Sequence, residues 1–393
     1  MVRPLHVLSI ASLFPHKVQP RFGIFVERSL AALAAAPDVA LTIIAPIGMP
    51  PWPASLHPRY RALRDLPLTE NWHGLDVLRP RFTLIPGLAA RNAGAMAAAI
   101  MPHARALQAA GKLDVIDAQF FWPDGPAAAQ VAKSLATPFS IKARGSDISL
   151  WARNPATATL IMDAAADATG LLSVAQTLKA DMAAIGMDAD KISVHYTGLD
   201  AQQFFPRDRA AARAKLGLSD NVVLLLTVGT LHERKGQMLV LDALGHLPDH
   251  VHYWMAGDGP ERAALAGQIA ARGLDARVRL LGGIANDALP EYYAAADMLV
   301  LPSASEGLAN VWVEAGGCGT PVLLSDIPPA HEMLDLPMAG RIAARDAAAI
   351  AAGVVDILAN PPDRAALSAH THARFNWQRN GAELAAYLRG LAR

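Results

Sequence analysis

The chain has 393 residues, of which 52% are hydrophobic, and a formal net charge of +0 at pH 7. This length exceeds what one hydrophobic core usually organises, so two domains are expected, and the balanced charge excludes generic binding to nucleic acid. The single cysteine, Cys318, excludes an internal disulfide, and no apolar run approaches the roughly 20 residues of a membrane-spanning helix.

The amino-terminal segment bears on the location of the protein. Pro4 and His6 interrupt its short apolar run, which favours a first β-strand over a signal peptide, so a cytoplasmic protein is expected. Residues 1–198 hold 18 Lys and Arg against 14 Asp and Glu, a net charge of +4 (18 − 14). A mildly basic first half suits a peripheral contact with the inner membrane surface or a phosphorylated acceptor, and a solvated face is the alternative.

The first elements along the chain indicate a parallel sheet. Strand His6–Ala11, a glycine-containing loop, a helix that runs to about Ala36 and strand Val39–Ala45 follow one another. This order is typical of a doubly wound α/β domain. The loop lacks the G-x-G-x-x-G fingerprint, which counts against an NAD-dependent dehydrogenase.

Residues 46–90 are rich in proline, tryptophan and arginine. We predict a long irregular stretch here, and such stretches inside compact domains are usually functional or disordered. Arg91–Ala110 is predicted as an alanine-rich helix that packs in the core.

Two polar turns come next. Strand Leu113–Ala118 leads to Asp124 and a helix, and strand Thr137–Lys142 leads to Arg144 and Asp147. A guanidinium such as that of Arg144 could help to neutralise a diphosphate. A purely structural turn is the alternative for Arg144 and Asp147.

One candidate metal pattern falls in the next loop. Asp188 and Asp190 are spaced as D-x-D, but they follow Gly186, where aspartates commonly cap or turn the chain. No metal site is therefore predicted.

The second half contains a first candidate phosphate site. Strand Val222–Val228 is followed by Gly229, the basic pair Arg234 and Lys235, and a helix. A strand, a glycine, cations and a helix N-terminus together suit a phosphate group. A surface lysine in an ordinary turn is the alternative.

The stretch from residue 298 to 332 is a second such site. Strand Met298–Leu301 precedes a polar turn, Asn310 is a good N-cap, and a helix from about Val311 would carry Glu314 in its first turns. Free backbone N–H groups and the helix dipole make this an anion site. Phosphate does not need Glu306 and Glu314, so two acids suggest a ligand that also carries hydroxyls, such as a sugar nucleotide. An ordinary turn with solvated glutamates is the alternative.

These motifs resemble the retaining GT-B glycosyltransferases of the "glycosyl transferases group 1" (family 4) type. The resemblance extends from residue 5 to about 390 and includes two glutamates eight residues apart, a turn like the E-G-L of Glu306, Gly307 and Leu308, and the loop with Gly23. It implies that Glu306 lies by the donor sugar, that Glu314 binds the ribose, and that residues 46–90 line the acceptor site.

The resemblance also assigns the other site residues. Glu306, Lys235 and Arg144 are implied as catalytic, and Asp147 and Asp124 as lying on the acceptor side. The implied donor-binding residues are Gly23, Gly229, Arg234, Lys235, Gly257, Ile284, Glu306, Gly307, Leu308, Asn310, Val311 and Glu314.

Five residues depart from the family pattern, one of them Thr197, which replaces an asparagine. Arg144 stands where the family has histidine, Thr230 replaces an arginine, and Pro328 and Pro329 replace a glycine pair. The two prolines predict a stiffer loop than is usual in the family.

The expected architecture is α/β, with two Rossmann-like doubly wound domains that face a central cleft (GT-B). Residues 1–198 are predicted as the acceptor-side domain, with a C-terminal helix of about 372–393 packed back onto it, and residues 199–371 as the donor domain.

The implied reaction is retaining transfer from a nucleoside-diphosphate sugar to a saccharide or lipid-linked acceptor, in polysaccharide or glycoconjugate synthesis. Uridine diphosphate is the family default and guanosine diphosphate an alternative, with neither metal nor cofactor required. A nucleotide-sugar epimerase or hydrolase on the same fold, or a non-catalytic two-domain sugar-binding protein, remain rival interpretations.

Overall fold

The computed structural model describes residues 3–20, 22–334 and 339–393 and divides into two compact units. The N-terminal unit consists of Met1–Gly198 together with Trp377–Arg393, and the C-terminal unit consists of Leu199–Asn376. The sequence places the boundary after residue 198 and the returning helix at about 372, whereas the last helix begins at Trp377.

The N-terminal unit alternates strands and helices. Its strands are β1 (Leu5–Ile10), β2 (Val39–Ile44), β3 (Ile47–Met49), β4 (Thr69–Trp72), β5 (Leu75–Leu78), β6 (Arg81–Thr83), β7 (Val115–Ala118), β8 (Phe139–Ala143), β9 (Gly170–Ser173) and β10 (Ile192–Val194). Its helices are α1 (Ile24–Ala34), α2 (Pro58–Arg64), α3 (Ala89–Ala109), α4 (Asp124–Leu135), α5 (Ser146–Ser149), α6 (Ala158–Asp167), α7 (Gln176–Ala184) and, at the end of the chain, α16 (Trp377–Leu391).

Among the described residues of this unit, eight strands form one sheet in the order β10-β9-β8-β7-β1-β2-β5-β4. Only the β4–β5 pair within it is antiparallel. The central strands β7 and β8 are buried along their whole length, as expected for parallel strands covered on both faces. Leu384 and Leu388 of α16 join the core formed by β1 and α1, so the last helix is part of this unit.

The prediction of irregular structure for residues 46–90 is wrong. The segment contains β3 to β6, helix α2 and a 3₁₀ turn, Ala54–Leu56. Strands β3 and β6 pair with each other in a small parallel ribbon outside the main sheet. These strands are only three or four residues long, which is too short for a periodic pattern to be visible in the sequence.

The C-terminal unit repeats the same scheme. Its strands are β11 (Val223–Val228), β12 (Val251–Ala256), β13 (Val278–Gly282), β14 (Met298–Leu301), β15 (Val322–Ser325) and β16 (Gly340–Ala343). Its helices are α8 (Arg209–Lys215), α9 (Gln237–Ala243), α10 (Arg262–Ala271), α11 (Leu289–Ala295), α12 (Asn310–Gly317), α13 (Pro328–Met333), α14 (Ala347–Ala359) and α15 (Arg364–Arg374).

Within the described part of this unit, six strands form a parallel sheet in the order β13-β12-β11-β14-β15-β16. The chain order reverses beside β11, which makes the carboxyl ends of β11 and β14 a topological switch point, where open α/β sheets bind ligands. Two doubly wound α/β units with parallel sheets are thus present, as the sequence predicts.

The predicted stiff loop at Pro328 and Pro329 is instead the first turn of helix α13. Proline is favoured there because its missing N–H would have no partner inside the helix.

No helix in residues 3–20, 22–334 and 339–393 is both long and apolar enough to cross a membrane.

Candidate functional site

Four turns of the C-terminal unit meet at one edge of its sheet. They follow β13, β12, β11 and β14, which are neighbours in that order. Because the carboxyl ends of parallel strands lie at the same edge, side chains from all four turns can reach one ligand. The predicted donor-binding residues of this unit fall in these turns and in helix α12.

Backbone contacts hold the first three turns close together. Gly257 N–H donates to Gly282 O at 2.8 Å, and Leu231 N–H donates to Asp258 O at 3.0 Å. Gly257 has φ +152°, and a Cβ placed there would lie 1.8 Å from the carbonyl oxygen of Gly229. Only glycine can occupy position 257, because the neighbouring turn fills the space of a side chain.

Asp258 adds a side-chain link between two of these turns. Its Oδ2 accepts a hydrogen bond from Gly283 N–H at 3.1 Å, and its Oδ1 accepts one from Arg262 at 2.9 Å. The carboxylate therefore fixes the turn that carries Ile284. Asp258 was not identified as a site residue from the sequence.

The turns after β11 and β14 are joined through their charged residues. Lys235 Nζ lies 2.5 Å from Glu306 Oε1, and the two side chains are 14% and 8% exposed. Arg234 donates to the carbonyl oxygen of Ser305, and its guanidinium lies 3.6 Å from Glu306 Oε2. Ala304 N–H donates to Arg234 O at 2.7 Å, so backbone and side chains together hold this pair of turns. Two cations and one carboxylate thus lie side by side.

Helix α12 places the second predicted glutamate. Glu314 is 9% exposed, and its Oε2 accepts a hydrogen bond from the hydroxyl of Tyr293 at 3.0 Å. Burial and the adjacent carboxylate hold the pKa of Tyr293 well above its usual range, so the hydroxyl stays a donor. Tyr293 was not identified from the sequence, because it lies in a short and mostly apolar helix, α11, with no motif around it.

The predicted N-cap at Asn310 is wrong by one residue. The helix begins at Asn310 itself, Ala309 occupies the cap position, and no side chain caps the helix. The first backbone N–H groups of the helix, including those of Asn310 and Val311, lack an acceptor inside the helix. Gly307 and Leu308 come shortly before these N–H groups in the chain, and Leu308 is buried.

Thr230, which replaces a family arginine, is exposed, and its carbonyl oxygen accepts a hydrogen bond from Gln237 at 3.0 Å. The position therefore supplies no cation, and Arg234 and Lys235 are the cations of the turn after β11 that contact Glu306.

In the N-terminal unit, the remaining predicted residues follow the adjacent strands β1, β7 and β8. Gly23 precedes α1 with φ +72°, and a Cβ there would lie 1.8 Å from the carbonyl oxygen of Leu13. Asp124 opens helix α4 and accepts from Ser12 N–H at 3.1 and 3.3 Å. These contacts bind the turn after β1 to the turn after β7.

Asp147 is a backbone acceptor in the turn after β8. It is fully buried, and its carboxylate accepts from the N–H groups of Arg144 (3.0 Å), Gly145 (2.8 Å) and Phe121 (3.3 Å). Burial raises the pKa of Asp147 to about 6 and that of Asp124 to about 7. Both carboxylates are 0% exposed, so they hold loops and offer no surface to an acceptor.

Arg144 is half-buried and bound by its own unit. Its Nε donates to Gln119 O at 2.8 Å, its Nη2 donates to Gln119 Oε1 at 2.6 Å, and its guanidinium lies 5.0 Å from the ring centre of Phe25. Burial lowers its pKa to about 10, so it remains a cation at neutral pH.

A buried polar network beneath helix α16 was missed from the sequence. Lys142 is 1% exposed and contacts His195 Nδ1, while His195 Nε2 lies 2.9 Å from the carbonyl oxygen of Asn380. Asp117, on the neighbouring strand, is fully buried. Burial lowers the pKa of Lys142 and raises that of Asp117. The sequence signal that could have revealed this network is the single charged residue in each of two apolar strands, Asp117 in β7 and Lys142 in β8.

The D-x-D pair serves as a turn. Asp188 is exposed and caps a 3₁₀ turn by accepting from Asp190 N–H at 3.0 Å. Over the described ranges of the chain, no group of three or more His, Cys, Asp or Glu residues is placed to hold a metal ion.

The predicted residues therefore gather into two groups, one in each unit. The C-terminal group is made of Gly229, Arg234, Lys235, Gly257, Ile284, Glu306, Gly307, Leu308, Asn310, Val311 and Glu314. The N-terminal group is made of Gly23, Asp124, Arg144 and Asp147.

Comparison with known proteins adds three findings. The profile of the family described as "Glycosyl transferases group 1" matches residues 208–374. The chain is 28% identical over 338 residues to a putative teichuronic acid biosynthesis glycosyltransferase, TuaC, of Bacillus subtilis (strain 168), covering 82% of this chain and 81% of the relative. It is 33% identical over 223 residues to a D-inositol 3-phosphate glycosyltransferase of Mycolicibacterium vanbaalenii, covering 52% of this chain and about half (49%) of that relative.

Solved structures share the fold. A sucrose-phosphate synthase from Thermosynechococcus elongatus superposes with a TM-score of 0.79 at 21% identity, covering 99% of both chains. Anabaena Alr3699/HepE, solved in complex with UDP and glucose, superposes with a TM-score of 0.74 at 20% identity, covering 98% of this chain and 100% of that one.

Proposed function

We propose that this chain, which is a glycosyltransferase with the GT-B fold and a group 1 glycosyl transferase domain at residues 208–374, transfers a sugar from a uridine-diphosphate sugar to a saccharide or lipid-linked acceptor with retention at the anomeric carbon. The donor binds at the carboxyl edge of the sheet in the C-terminal unit.

The contact between Lys235 and Glu306 carries this proposal. Their atoms are 2.5 Å apart, and both side chains are largely shielded from water. A diphosphate bound beside Lys235 competes with Glu306 for the ammonium group, because phosphate oxygens are strong acceptors for cations. Glu306 is then released to accept hydrogen bonds from the hydroxyls of the donor sugar. Phosphate binding and sugar recognition are thereby coupled through one ion pair.

The N-terminus of helix α12 supplies the rest of the anion site. The diphosphate is stabilised by the N–H groups of Asn310 and Val311 and by the positive end of the helix dipole. The backbone of the turn formed by Gly307 and Leu308 approaches the diphosphate closely. Arg234, whose side chain is 43% exposed, is a second cation beside Lys235. These groups stabilise the charge that develops on the leaving diphosphate, so the proposal requires neither metal nor cofactor.

The nucleoside is bound by the other turns. Glu314 accepts hydrogen bonds from the ribose hydroxyls, with Tyr293 holding its second oxygen at 3.0 Å. The backbone of Ile284 lies against the base, in a turn fixed by Asp258. Gly229, with nothing within 4 Å of where its Cβ would lie, keeps space for the nucleotide, and Gly257 lets the turns after β11 and β12 approach each other. Uracil is favoured because Alr3699/HepE, which shares this fold, was solved with UDP.

In the transfer step, a donor phosphate oxygen takes the proton of the acceptor hydroxyl while the bond from the sugar to the diphosphate breaks. The acceptor oxygen then attacks from the face that the diphosphate leaves, which preserves the anomeric configuration. We assign to Arg144 a contact with an anionic group of a substrate, and to Gly23 the tight turn before α1. Asp124 and Asp147 act on the acceptor side by holding the loops around them.

The acceptor is a saccharide or a lipid-linked saccharide in polysaccharide or glycoconjugate synthesis. The name of the Bacillus subtilis relative, which refers to teichuronic acid biosynthesis, supports this class. We place the protein in the cytoplasm, in peripheral contact with the inner membrane surface.

One surface of the N-terminal unit suits that membrane contact. Trp52, Leu56 and Leu68 are 78%, 49% and 64% exposed. The exposed Arg61 and Arg64 lie between them in helix α2, and Arg64 donates to Ser55 O at 3.4 Å, which folds the helix onto the turn that carries Leu56. Tryptophan, leucine and arginine on one surface are typical of contacts with the headgroup region of anionic lipid.

The donor assignment is tested with a panel of labelled UDP- and GDP-sugars. We expect UDP-sugars to raise the melting temperature, and transfer to saccharide or lipid-extract acceptors to give a product whose anomeric configuration, read by NMR, matches the donor. The proposal fails if no nucleotide sugar stabilises the protein. Release of free sugar or of an epimer at the same rate with and without acceptor would identify a hydrolase or epimerase instead.

Membrane contact is tested separately by sedimentation with vesicles. We expect binding to phosphatidylglycerol-containing vesicles, weak binding to phosphatidylcholine vesicles, and loss of about fivefold in affinity for each arginine removed from the pair Arg61 and Arg64. Arg379→Ala, which removes an exposed arginine of α16, is the matched control. Equal sedimentation with both vesicle types, or none with either, would rule out this surface.

A further inference from the structure

Gln119 lies between two groups of opposite hydrogen-bonding character. Its Oε1 accepts from Arg144 Nη2 at 2.6 Å, and its Nε2 donates to the carboxylate of Asp117 and to Ser9 Oγ at 3.2 Å. Its carbonyl oxygen also accepts from Arg144 Nε at 2.8 Å. Gln119 is fully buried, and so are Asp117 and Ser9.

An amide is the one neutral side chain of this length that can make both contacts. A guanidinium only donates and an ionised carboxylate only accepts, so the bridging group needs an acceptor at one end and a donor at the other. The same requirement fixes which end of the Gln119 amide carries the oxygen. Ser140 Oγ donates to Asp117 Oδ1 at 2.8 Å and holds the far side of the carboxylate.

These bonds leave one nitrogen of Arg144 available. Nε and Nη2 are both bound to Gln119, while Nη1 has no hydrogen-bond partner in the part of the chain that the structure describes. The ring of Phe25 lies against the guanidinium at 5.0 Å. The Arg144 guanidinium is thus held at Nε and Nη2, and its Nη1 can donate to a ligand.

We propose that Gln119 is a positioning residue for the reaction, with Asp117 as its support: it holds the Arg144 guanidinium in the orientation in which Nη1 meets an anionic group of a substrate. This inference rests on the proposed function, and it concerns a position where this chain departs from its family. The arginine needs this adaptor because its long side chain would otherwise sample several rotamers.

The decisive experiment is a double-mutant cycle on transfer activity in the full chain. Gln119→Leu removes all three side-chain hydrogen bonds at similar volume, and we expect kcat to fall about tenfold or more, since a hydrogen bond to a charged group is lost. The affinity for UDP, whose site lies in the other unit, stays unchanged. Because Gln119 acts through Arg144, Gln119→Leu should add little to the loss caused by Arg144→Ala.

A second variant gives a readout that a merely structural role would not move. The carboxyl group introduced by Gln119→Glu is buried against the Asp117 carboxylate, and both effects raise its pKa, while the adjacent Arg144 guanidinium opposes them. Once protonated, the new carboxyl group donates to Asp117 and accepts from Arg144, as the amide does. We expect the activity of Gln119→Glu relative to the parent to rise as the pH falls from 8 to 6. The charged and titratable groups around this position are Asp117, Asp124, Lys142, Arg144, Asp147 and His195.

Gln108→Leu is the matched control. It removes another amide of the same unit, which donates to Leu135 O at 2.7 Å and lies outside this network. The proposal is overturned if Gln119→Leu keeps the parental kcat, or if the losses in the double variant are additive. It is also overturned if the activity of Gln119→Glu relative to the parent does not change between pH 8 and pH 6. If the parent itself transfers no sugar, the proposed function fails and not the positioning role. That role can then be read from restricted rotation of the ¹⁵N-labelled Arg144 guanidinium, which Gln119→Leu should abolish.

Discussion

The two units use their acidic residues in opposite ways. In the N-terminal unit, Asp124 and Asp147 are fully buried and accept hydrogen bonds from backbone N–H groups. In the C-terminal unit, Glu306 and Glu314 are also largely buried, but they contact side chains, those of Lys235 and Tyr293.

This difference in hydrogen-bond partners distinguishes acids that stabilise the fold from acids that can bind a ligand. A carboxylate that holds backbone amides cannot leave them without opening the turn it stabilises, since the amides would stay buried without acceptors. A carboxylate paired with a side chain can exchange that partner for a ligand. Of the four predicted acids, the two that pair with side chains, Glu306 and Glu314, are both in the C-terminal unit, where the donor site is assigned.

The largest effect is expected from breaking the exchangeable pair. Lys235→Ala should lower kcat/KM by about 10²–10³, because a cation that stabilises the leaving diphosphate is lost. Initial rates with a UDP-sugar measure this, with thermal melting to verify the fold. Lys215→Ala, which removes a lysine whose side chain is 67% exposed, should leave the rate unchanged. A Lys235→Ala rate within threefold of the parent would contradict the assignment.

A smaller effect, on the affinity for UDP, is expected from replacing the second glutamate, Glu314. Glu314→Ala should weaken UDP binding about 10- to 100-fold, through the loss of charge-assisted hydrogen bonds to the ribose. Calorimetry with UDP and 2′-deoxy-UDP measures this. The parent should discriminate between the two ligands, and the variant should bind them equally. Glu383→Ala, which removes an exposed carboxylate of the other unit, is the control. If Glu314→Ala still binds UDP more tightly than 2′-deoxy-UDP, Glu314 does not bind the ribose.

The smallest effect tests the scaffold side of the comparison. The pKa of Asp124 is raised to about 7 by burial, from about 3.9 in an unfolded chain. Its contribution to stability is therefore present at low pH and lost as the pH rises through 7. Between pH 6 and pH 8 the parent should lose about 1 kcal/mol of unfolding free energy from this group.

Asp124→Asn, which keeps an oxygen for Ser12 N–H, should lack this loss when unfolding is followed by denaturant titration at the two pH values. Asp188→Asn changes an exposed capping carboxylate and should leave the pH dependence as it is in the parent. If Asp124→Asn and the parent respond equally to pH, Asp124 is not the buried titrating group.

The sequence anticipated much of the architecture because its signals are local. Apolar runs of strand length predicted Met298–Leu301 at its observed bounds and the strands observed as β1, β2, β7, β8 and β11 within two residues. Glycine turns after those strands marked the donor edge, since the carboxyl ends of parallel strands carry the ligand in this fold class. The fold prediction of two doubly wound α/β units was right for that reason.

The sequence by itself determined the order of strands and helices, the residue types at the donor edge and the family resemblance, all of which depend on spacing along the chain. Tertiary structure alone decided which partner each polar group found. The pairing of Lys235 with Glu306 over 71 positions, the bridge from Asp117 through Gln119 to Arg144, and the burial of Asp124 and Asp147 depend on which strands become neighbours. Hydrogen bonds and ion pairs act over about 3 Å in space, and separation along the chain does not encode that distance.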